Sequence, residues 1–135
     1  MLKLIIGCKG TGKTKQLIAS VNETVANDHG SIVFINRNNK YMFDIHSDIR
    51  LIGTEDFAIN TYEEFYGFFC GVLSQNYDIT NVFIDSVTKI TGDDFAKAEQ
   101  ALAKLNEAAK KNNVNVIMTA SIAVEDAPEF VKLYI

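Results

Sequence analysis

The chain contains few of the residues that mark secreted, membrane-spanning or multidomain proteins. Among its 135 residues are two cysteines, Cys8 and Cys70, and a single proline, Pro128. Two cysteines provide no disulfide framework and no zinc-binding spacing, so we expect reduced thiols in a cytoplasmic protein. No apolar run approaches the roughly 18 residues that a membrane span needs, and residues 2–6 are too few for a secretory signal.

Positive charge is also scarce. The chain has 13 Lys and Arg residues against 17 Asp and Glu residues, which gives a net charge of -4. Broad nucleic-acid binding depends on a face rich in Lys and Arg, so nucleic acid is not indicated as a partner. The length, together with the absence of linkers and repeats, predicts a single domain over residues 1–135.

Apolar runs alternate with amphipathic segments along the whole chain. Strands are predicted at residues 2–6, 31–36, 49–53, 81–85 and 114–119, with further ones around 41–43 and 130–135. Helices are predicted at residues 14–27, 61–75 and 93–111. This alternation predicts an α/β fold, a three-layer sandwich in which a mainly parallel sheet has helices on both faces.

Three helix ends have recognisable sequence signals. Gly30 follows the first helix and can take the left-handed conformation that often ends a helix. Thr61-x-x-Glu64 has the spacing of a capping box, which would open the second helix. We expect Thr91-x-x-Asp94 to open the third helix in the same way.

A glycine-rich loop follows the first strand, with the sequence Gly7-Cys8-Lys9-Gly10-Thr11-Gly12-Lys13-Thr14. It matches the phosphate-binding pattern G-x-x-x-x-G-K-[ST] in full. The glycines permit a tight concave loop whose N–H groups face phosphate oxygens, and the following helix adds its own free N–H groups. Lys13 would neutralise the β and γ phosphates, Thr14 would ligate Mg²⁺, and Lys15 would extend the binding segment into the helix. The alternative is a glycine-rich turn with no ligand.

A second element of the same chemistry ends at Asp85. The apolar run Val82-Phe83-Ile84 delivers this aspartate to the end of a predicted strand, where it would join Thr14 in the Mg²⁺ shell. The alternative is that Asp85 caps a helix or a turn.

Together these residues resemble a stand-alone P-loop NTPase core of the RecA-like group. The likeness depends on the glycine-rich loop, on Asp85 and on Thr119 at the end of a later strand. Small ATP-binding proteins of this kind are sometimes labelled after twitching-motility ATPases, although this chain is much shorter than those motors. The resemblance implies that Thr119 senses the γ-phosphate or holds a water; a buried threonine satisfied by the backbone is the alternative.

Guanine recognition is disfavoured, so ATP is the expected nucleotide. Asp85-Ser86-Val87-Thr88 lacks the glycine of D-x-x-G, and Asn39-Lys40-Tyr41-Met42 lacks the aspartate of N-K-x-D.

Hydrolysis also requires a residue that orients the attacking water. Ser86 directly follows Asp85, at a position where many RecA-like enzymes have a glutamate. Glu55, just past the strand at 49–53, is the candidate from a neighbouring strand, and Arg37 is the candidate arginine finger. Asp44 and Glu63 are further candidates for the carboxylate, and Lys89, Asp93 and Asp94 could line the same cleft. For the carboxylates Glu55, Asp44 and Glu63 and for Arg37, the alternative is a solvated surface charge. For Asp93 and Asp94 the alternative is compensation of the helix dipole at a helix N-terminus.

Three functions are compatible with this set. The first is Mg²⁺-dependent ATP binding with weak or partner-activated hydrolysis, in which a homo-oligomer or a partner protein completes the site. The second is a nucleotide-binding switch or sensor that does not hydrolyse, which Ser86 favours. The third is a small kinase, which usually needs an arginine-rich lid that this chain does not contain.

Overall fold

A parallel five-stranded sheet forms the centre of the molecule. The computed structural model describes residues 1–92 and 94–135. The strands are β1 Leu2–Gly7, β2 Ser31–Asn36, β3 Arg50–Gly53, β4 Ile79–Ile84 and β5 Asn115–Ser121, and their order is β1-β5-β4-β2-β3. Each neighbouring pair is parallel. Their carboxyl ends therefore meet at one edge of the sheet, where α/β folds usually bind ligands.

Helices cover both faces of the sheet. They are α1 Lys13–Asn27, α2 Tyr62–Ser74, the short α3 Val87–Thr91 and α4 Glu99–Lys111. Short 3₁₀ turns occupy Thr54–Phe57, Phe95–Ala98, Val124–Asp126 and Glu129–Leu133. One apolar cluster joins Leu17 and Val21 of α1 to one face, and a larger cluster joins α2 and α4 to the other. The three-layer α/β sandwich predicted from the sequence is thus confirmed.

The central strands explain why the apolar runs are nearly continuous. β2 and β4 have neighbours on both sides and helices on both faces, so almost every side chain in them is buried. The second helix begins as predicted. The Thr61 hydroxyl accepts from the Glu64 N–H at 3.1 Å, and the Glu64 carboxylate accepts from the Thr61 N–H at 3.0 Å.

The prediction for the third helix is wrong at its start. The Thr91 hydroxyl donates to the Val87 carbonyl at 3.0 Å inside α3, so it does not cap a following helix. Asp94 precedes a 3₁₀ turn and makes no capping bond, and α4 begins only at Glu99.

Two predicted short strands are also absent. Residues 41–43 lie in consecutive turns, with the Asp44 N–H bonded to the Tyr41 carbonyl at 2.9 Å, and the Phe43 side chain is exposed. Residues 130–133 belong to the 3₁₀ turn Glu129–Leu133 and form no strand, because Pro128, with φ of -58°, leads the chain into that turn.

Gly30 follows the first helix as predicted, but for a different physical reason. It is not among the residues with positive φ, so the left-handed conformation is not its role. A Cβ atom at this position would overlap the Thr80 side chain on β4. The glycine is needed because the end of the helical segment approaches the sheet closely.

Candidate functional site

The candidate site lies at the carboxyl edge of the sheet, where four strand ends converge. β1 leads through the glycine-rich loop, residues 7–14, into α1. β4 ends at Ile84, so Asp85 follows it directly, and β5 carries Thr119 between β1 and β4. Asn36 ends β2 on the other side of β4.

The glycine-rich loop leaves the start of α1 open. Gly10 and Gly12 have φ of 81° and 84°, a conformation that side chains disfavour and glycine accepts. Gly12 is the N-cap residue, so no side chain caps the helix, and the first turn contains no acidic residue. The first N–H groups of α1 have no acceptor within the helix, and together with the helix dipole they favour an anion.

Lys13 is folded back across this loop. Its side-chain amine donates to the Cys8 carbonyl at 2.7 Å and to the Thr11 hydroxyl at 3.4 Å, and the residue is only 8% exposed. The Thr11 hydroxyl also donates to the Cys8 carbonyl, at 2.8 Å. Among the described residues no carboxylate pairs with Lys13. Its charge is therefore held by neutral oxygens only and stays available to an anionic ligand.

Asp85 is the centre of a hydroxyl network. The residue is 4% exposed, and its Oδ1 accepts from the Thr14 hydroxyl at 2.9 Å and from the Thr119 hydroxyl at 3.4 Å. The Thr14 bond joins the first turn of α1 to the end of β4 across 71 positions of sequence. Both hydroxyls donate to Oδ1. The other carboxylate oxygen, Oδ2, accepts no hydrogen bond from the described residues, which leaves it able to bind a ligand.

Ser86 adopts a strained backbone next to this network. Its φ of 55° and ψ of 60° are left-handed, which costs a non-glycine residue roughly 1–2 kcal/mol. The Ser86 N–H donates to the Thr119 hydroxyl at 2.7 Å, and the Lys89 N–H donates to the Ser86 carbonyl at 2.9 Å. These bonds hold the turn from β4 into α3 so that Ser86 and Lys89 face the loop.

Two adjoining clefts open beside these residues. The loop cleft has a volume of about 310 Å³, and the side cleft, next to β2, has about 120 Å³. The loop cleft is lined by Lys9, Gly10, Gly12, Lys13, Thr14, Lys15, Ser86, Lys89 and Ser121. The side cleft is lined by Asn36, Arg37, Asn38, Lys40, Tyr41, Asp85, Ser86 and Lys89. Ser86 and Lys89 belong to both.

The clefts concentrate positive charge in a chain whose net charge is -4. Their basic side chains are Lys9, Lys13, Lys15, Arg37, Lys40 and Lys89. Among the described lining residues, Asp85 is the only acidic one. Low-dielectric walls lined by one sign of charge attract an oppositely charged ligand, here a polyanion.

The structure brings together only part of the predicted catalytic set. Lys13, Thr14, Asp85 and Thr119 lie at one edge of the sheet. Thr119 is fully buried and reaches the clefts only through its bonds to Asp85 and Ser86. Within the loop, Gly7, Cys8 and Thr11 do not line the cleft.

The other candidates lie further out. Arg37 lines the side cleft and forms an exposed ion pair with Glu55, at 3.9 Å between Nε and Oε2. Glu55 follows β3, which β2 separates from β4, and Glu55 lines neither cleft. Asp44, Glu63 and Asp94 likewise line neither cleft, whereas Lys89 lines both. Asp93 lies outside the described residues.

Several cleft residues were not among the sequence candidates, and Asn36 and Ser121 are two of them. Both are polar residues that end a buried strand, which is the available sequence signal. Asn36 follows the apolar run Ile32–Ile35 in the same way that Asp85 follows its own run.

No protein-family model matches the chain, and no curated protein matches it. Within the described residues, no helix has both the length and the apolar character needed to cross a membrane.

Proposed function

We propose that the protein binds ATP together with Mg²⁺ in the loop cleft. The observation that carries this proposal is the 2.9 Å bond between the Thr14 hydroxyl and Asp85 Oδ1. It places two oxygen ligands of the kind that Mg²⁺ prefers beside an open helix start and a cluster of lysines. Metal-ligating oxygens, free helix N–H groups and lysines are the groups that bind a metal-bound polyphosphate, whereas a turn without a ligand needs none of them. This is the binding mode of a P-loop nucleotide-binding protein.

The residues present fit Mg²⁺. Thr14 Oγ1 and Asp85 Oδ2 are hard oxygen donors, and Oδ2 has no other hydrogen bond among the described residues. Those residues contain no cluster of three or more His, Cys, Asp or Glu side chains that could hold a metal. Mg²⁺ usually keeps several waters and takes further ligands from phosphate, so two protein oxygens are enough. When bound, the ion would withdraw charge from the phosphate oxygens.

The remaining residues would bind and orient the triphosphate. Lys13 would exchange its bonds to Cys8 and Thr11 for phosphate oxygens, as its position in the loop cleft allows. The first N–H groups of α1 would donate to the same phosphates, and Lys89 would approach from the opposite wall. Thr119 would fix Asp85 and Ser86 without touching the ligand.

We propose that hydrolysis by the isolated chain is slow and that a partner protein or a second copy activates it. The described lining of the two clefts contains no carboxylate besides Asp85, whose oxygens serve the metal. The same observation favours the second candidate, a cytoplasmic nucleotide switch that releases its ligand unhydrolysed. Arg37, exposed at the side cleft, is positioned to act in its own site or a neighbour's.

Phosphate release across a range of protein concentrations separates these two candidates. Turnover per chain that increases with concentration, and that disappears in Lys13→Ala, would support an assisted ATPase. Tight binding of Mg·ATP without phosphate release at any concentration would support the switch. Absence of ATP binding by the unmodified chain would refute both.

A further inference from the structure

Asn36 is a buried polar residue whose side-chain oxygen has no partner among the described residues. It is 4% exposed, and its Oδ1 has no hydrogen bond within the described residues. It stands next to the metal-binding aspartate, because the Asp85 N–H donates to the carbonyl of Ile35 at 2.8 Å. Buried polar atoms in native proteins are nearly always bonded, so this oxygen calls for a partner from outside the chain.

The position of Asn36 indicates where that partner sits. Asn36 lines the side cleft together with Asp85, Ser86 and Lys89, and the last two also line the loop cleft. The side cleft, at about 120 Å³, has room for a few waters, since a water occupies about 30 Å³ in the liquid. A water bound there would lie beside Ser86 and Lys89, the two residues that connect the side cleft to the loop cleft.

We propose that the Asn36 side chain accepts a hydrogen bond from the water that attacks the γ-phosphate. This inference rests on the proposed function, because it requires ATP in the loop cleft. In the step, the water oxygen forms a bond to the γ-phosphorus while the bond from that phosphorus to the β,γ-bridging oxygen breaks. The bridging oxygen leaves on ADP, and the products are ADP and inorganic phosphate.

The chemistry of the amide makes this water oriented but weakly activated. An amide oxygen accepts a hydrogen bond and does not retain the proton, so the water proton passes to a γ-phosphate oxygen. Orientation by an amide, with no carboxylate as base, is also how glutamine acts in slow GTPases. Asn36 therefore sets a low basal rate, and a carboxylate at the same position would raise it.

Thr54 supplies a matched control. It directly follows the edge strand β3, is 1% exposed, and its hydroxyl also lacks a partner among the described residues. Unlike Asn36, it lines neither cleft. A purely structural effect of an unpaired buried group should appear in both positions, whereas an effect on the attacking water should appear only at Asn36.

The test compares Asn36→Ala, Asn36→Asp and Thr54→Val with the unmodified chain. Two quantities are measured: the Kd for Mg·ATP by calorimetry and the single-turnover rate of hydrolysis with enzyme in excess. Circular dichroism first establishes that each variant is folded.

We expect Asn36→Asp to raise the rate at least tenfold, because a positioned general base contributes about 10²–10⁴-fold. Asn36→Ala should slow hydrolysis about tenfold or more with the Kd within about threefold, since a lost orienting contact can cost up to about 100-fold. Thr54→Val should change neither quantity.

Equal rates in the unmodified chain and both Asn36 variants, with unchanged Kd, would overturn the inference while leaving ATP binding intact. If Asn36→Asp does not fold, the rate of Asn36→Ala decides. Failure of the unmodified chain to bind ATP would instead overturn the proposed function, and this inference with it.

Discussion

The bond between Thr14 and Asp85 allows a test in the protein without nucleotide. Thr14→Val keeps the shape of the side chain and removes the hydroxyl that donates to Asp85 Oδ1 at 2.9 Å. Among the bonds from the described residues, the buried Asp85 side chain then retains only the 3.4 Å bond from Thr119. A hydrogen bond to a charged group contributes about 1.5–3 kcal/mol, so we expect the free energy of unfolding to fall by about that amount.

This loss is large enough to measure by thermal unfolding. For a domain of this size, 1 kcal/mol shifts the midpoint by roughly 3–5 °C, so Thr14→Val should melt about 5–15 °C below the unmodified chain. The assay is circular dichroism in a buffer with EDTA and no nucleotide. Thr14→Ser, which retains the hydroxyl, is the control and should remain much closer to the unmodified chain. Equal midpoints for the valine variant and the unmodified chain would show that the bond contributes nothing and that Thr14 is not held by Asp85.

Three further perturbations test other parts of the structure. Lys89→Ala should weaken Mg·ATP binding about tenfold, because one charge-assisted contact is lost. The melting temperature should not fall, because the side chain is exposed. Unchanged affinity for Mg·ATP would show that Lys89 does not contact the nucleotide. The pKa of Asp28 lies below its usual range, chiefly because its carboxylate accepts a hydrogen bond from the Gly30 N–H. The contribution of this carboxylate to the free energy of unfolding is therefore fully present near neutral pH and is lost as the pH falls through the lowered pKa. Asp28→Asn should therefore reduce the free energy of unfolding near pH 7 and differ less at acid pH, and urea titrations that show a pH-independent difference would contradict this. In the same titrations, Gly30→Ala should lower the free energy of unfolding by about 1–3 kcal/mol, because the new Cβ would overlap the Thr80 side chain. Gly67→Ala is the control and should not destabilise the protein, because a Cβ at this helical position meets no atom within 4 Å.

The sheet could be predicted because its signal is local. Each central strand is an apolar run, and strands buried on both faces need no other pattern. The capping box at Thr61 and Glu64 is also local, and it formed as predicted. The box expected at Thr91 and Asp94 did not form, because α3 uses Thr91 for its own last turn. Competition between two neighbouring helical segments is not visible in the spacing of two residues.

The site could be predicted only as far as its parts are contiguous in sequence. The glycine-rich loop is one segment, and Asp85 ends a clear strand, so both were candidates from the sequence. Which strand lies beside β4 depends on the sheet order, which no local pattern contains. Glu55 was a reasonable candidate for that neighbour, but it follows β3, while β2 and Asn36 lie next to β4. Asn36 ends an apolar strand, but its burial and its unpaired side-chain oxygen are visible only in the structure.

The central claim, that the loop cleft binds Mg·ATP, is tested most directly by isothermal titration calorimetry. The titration is made with ATP in the presence of Mg²⁺ and again with EDTA, for the unmodified chain and for Lys13→Ala. The account predicts one site per chain, tighter binding with Mg²⁺ than without it, and a loss of at least tenfold in affinity in the variant. Absence of binding by the unmodified chain at millimolar ATP, or equal affinity in the variant, would contradict it.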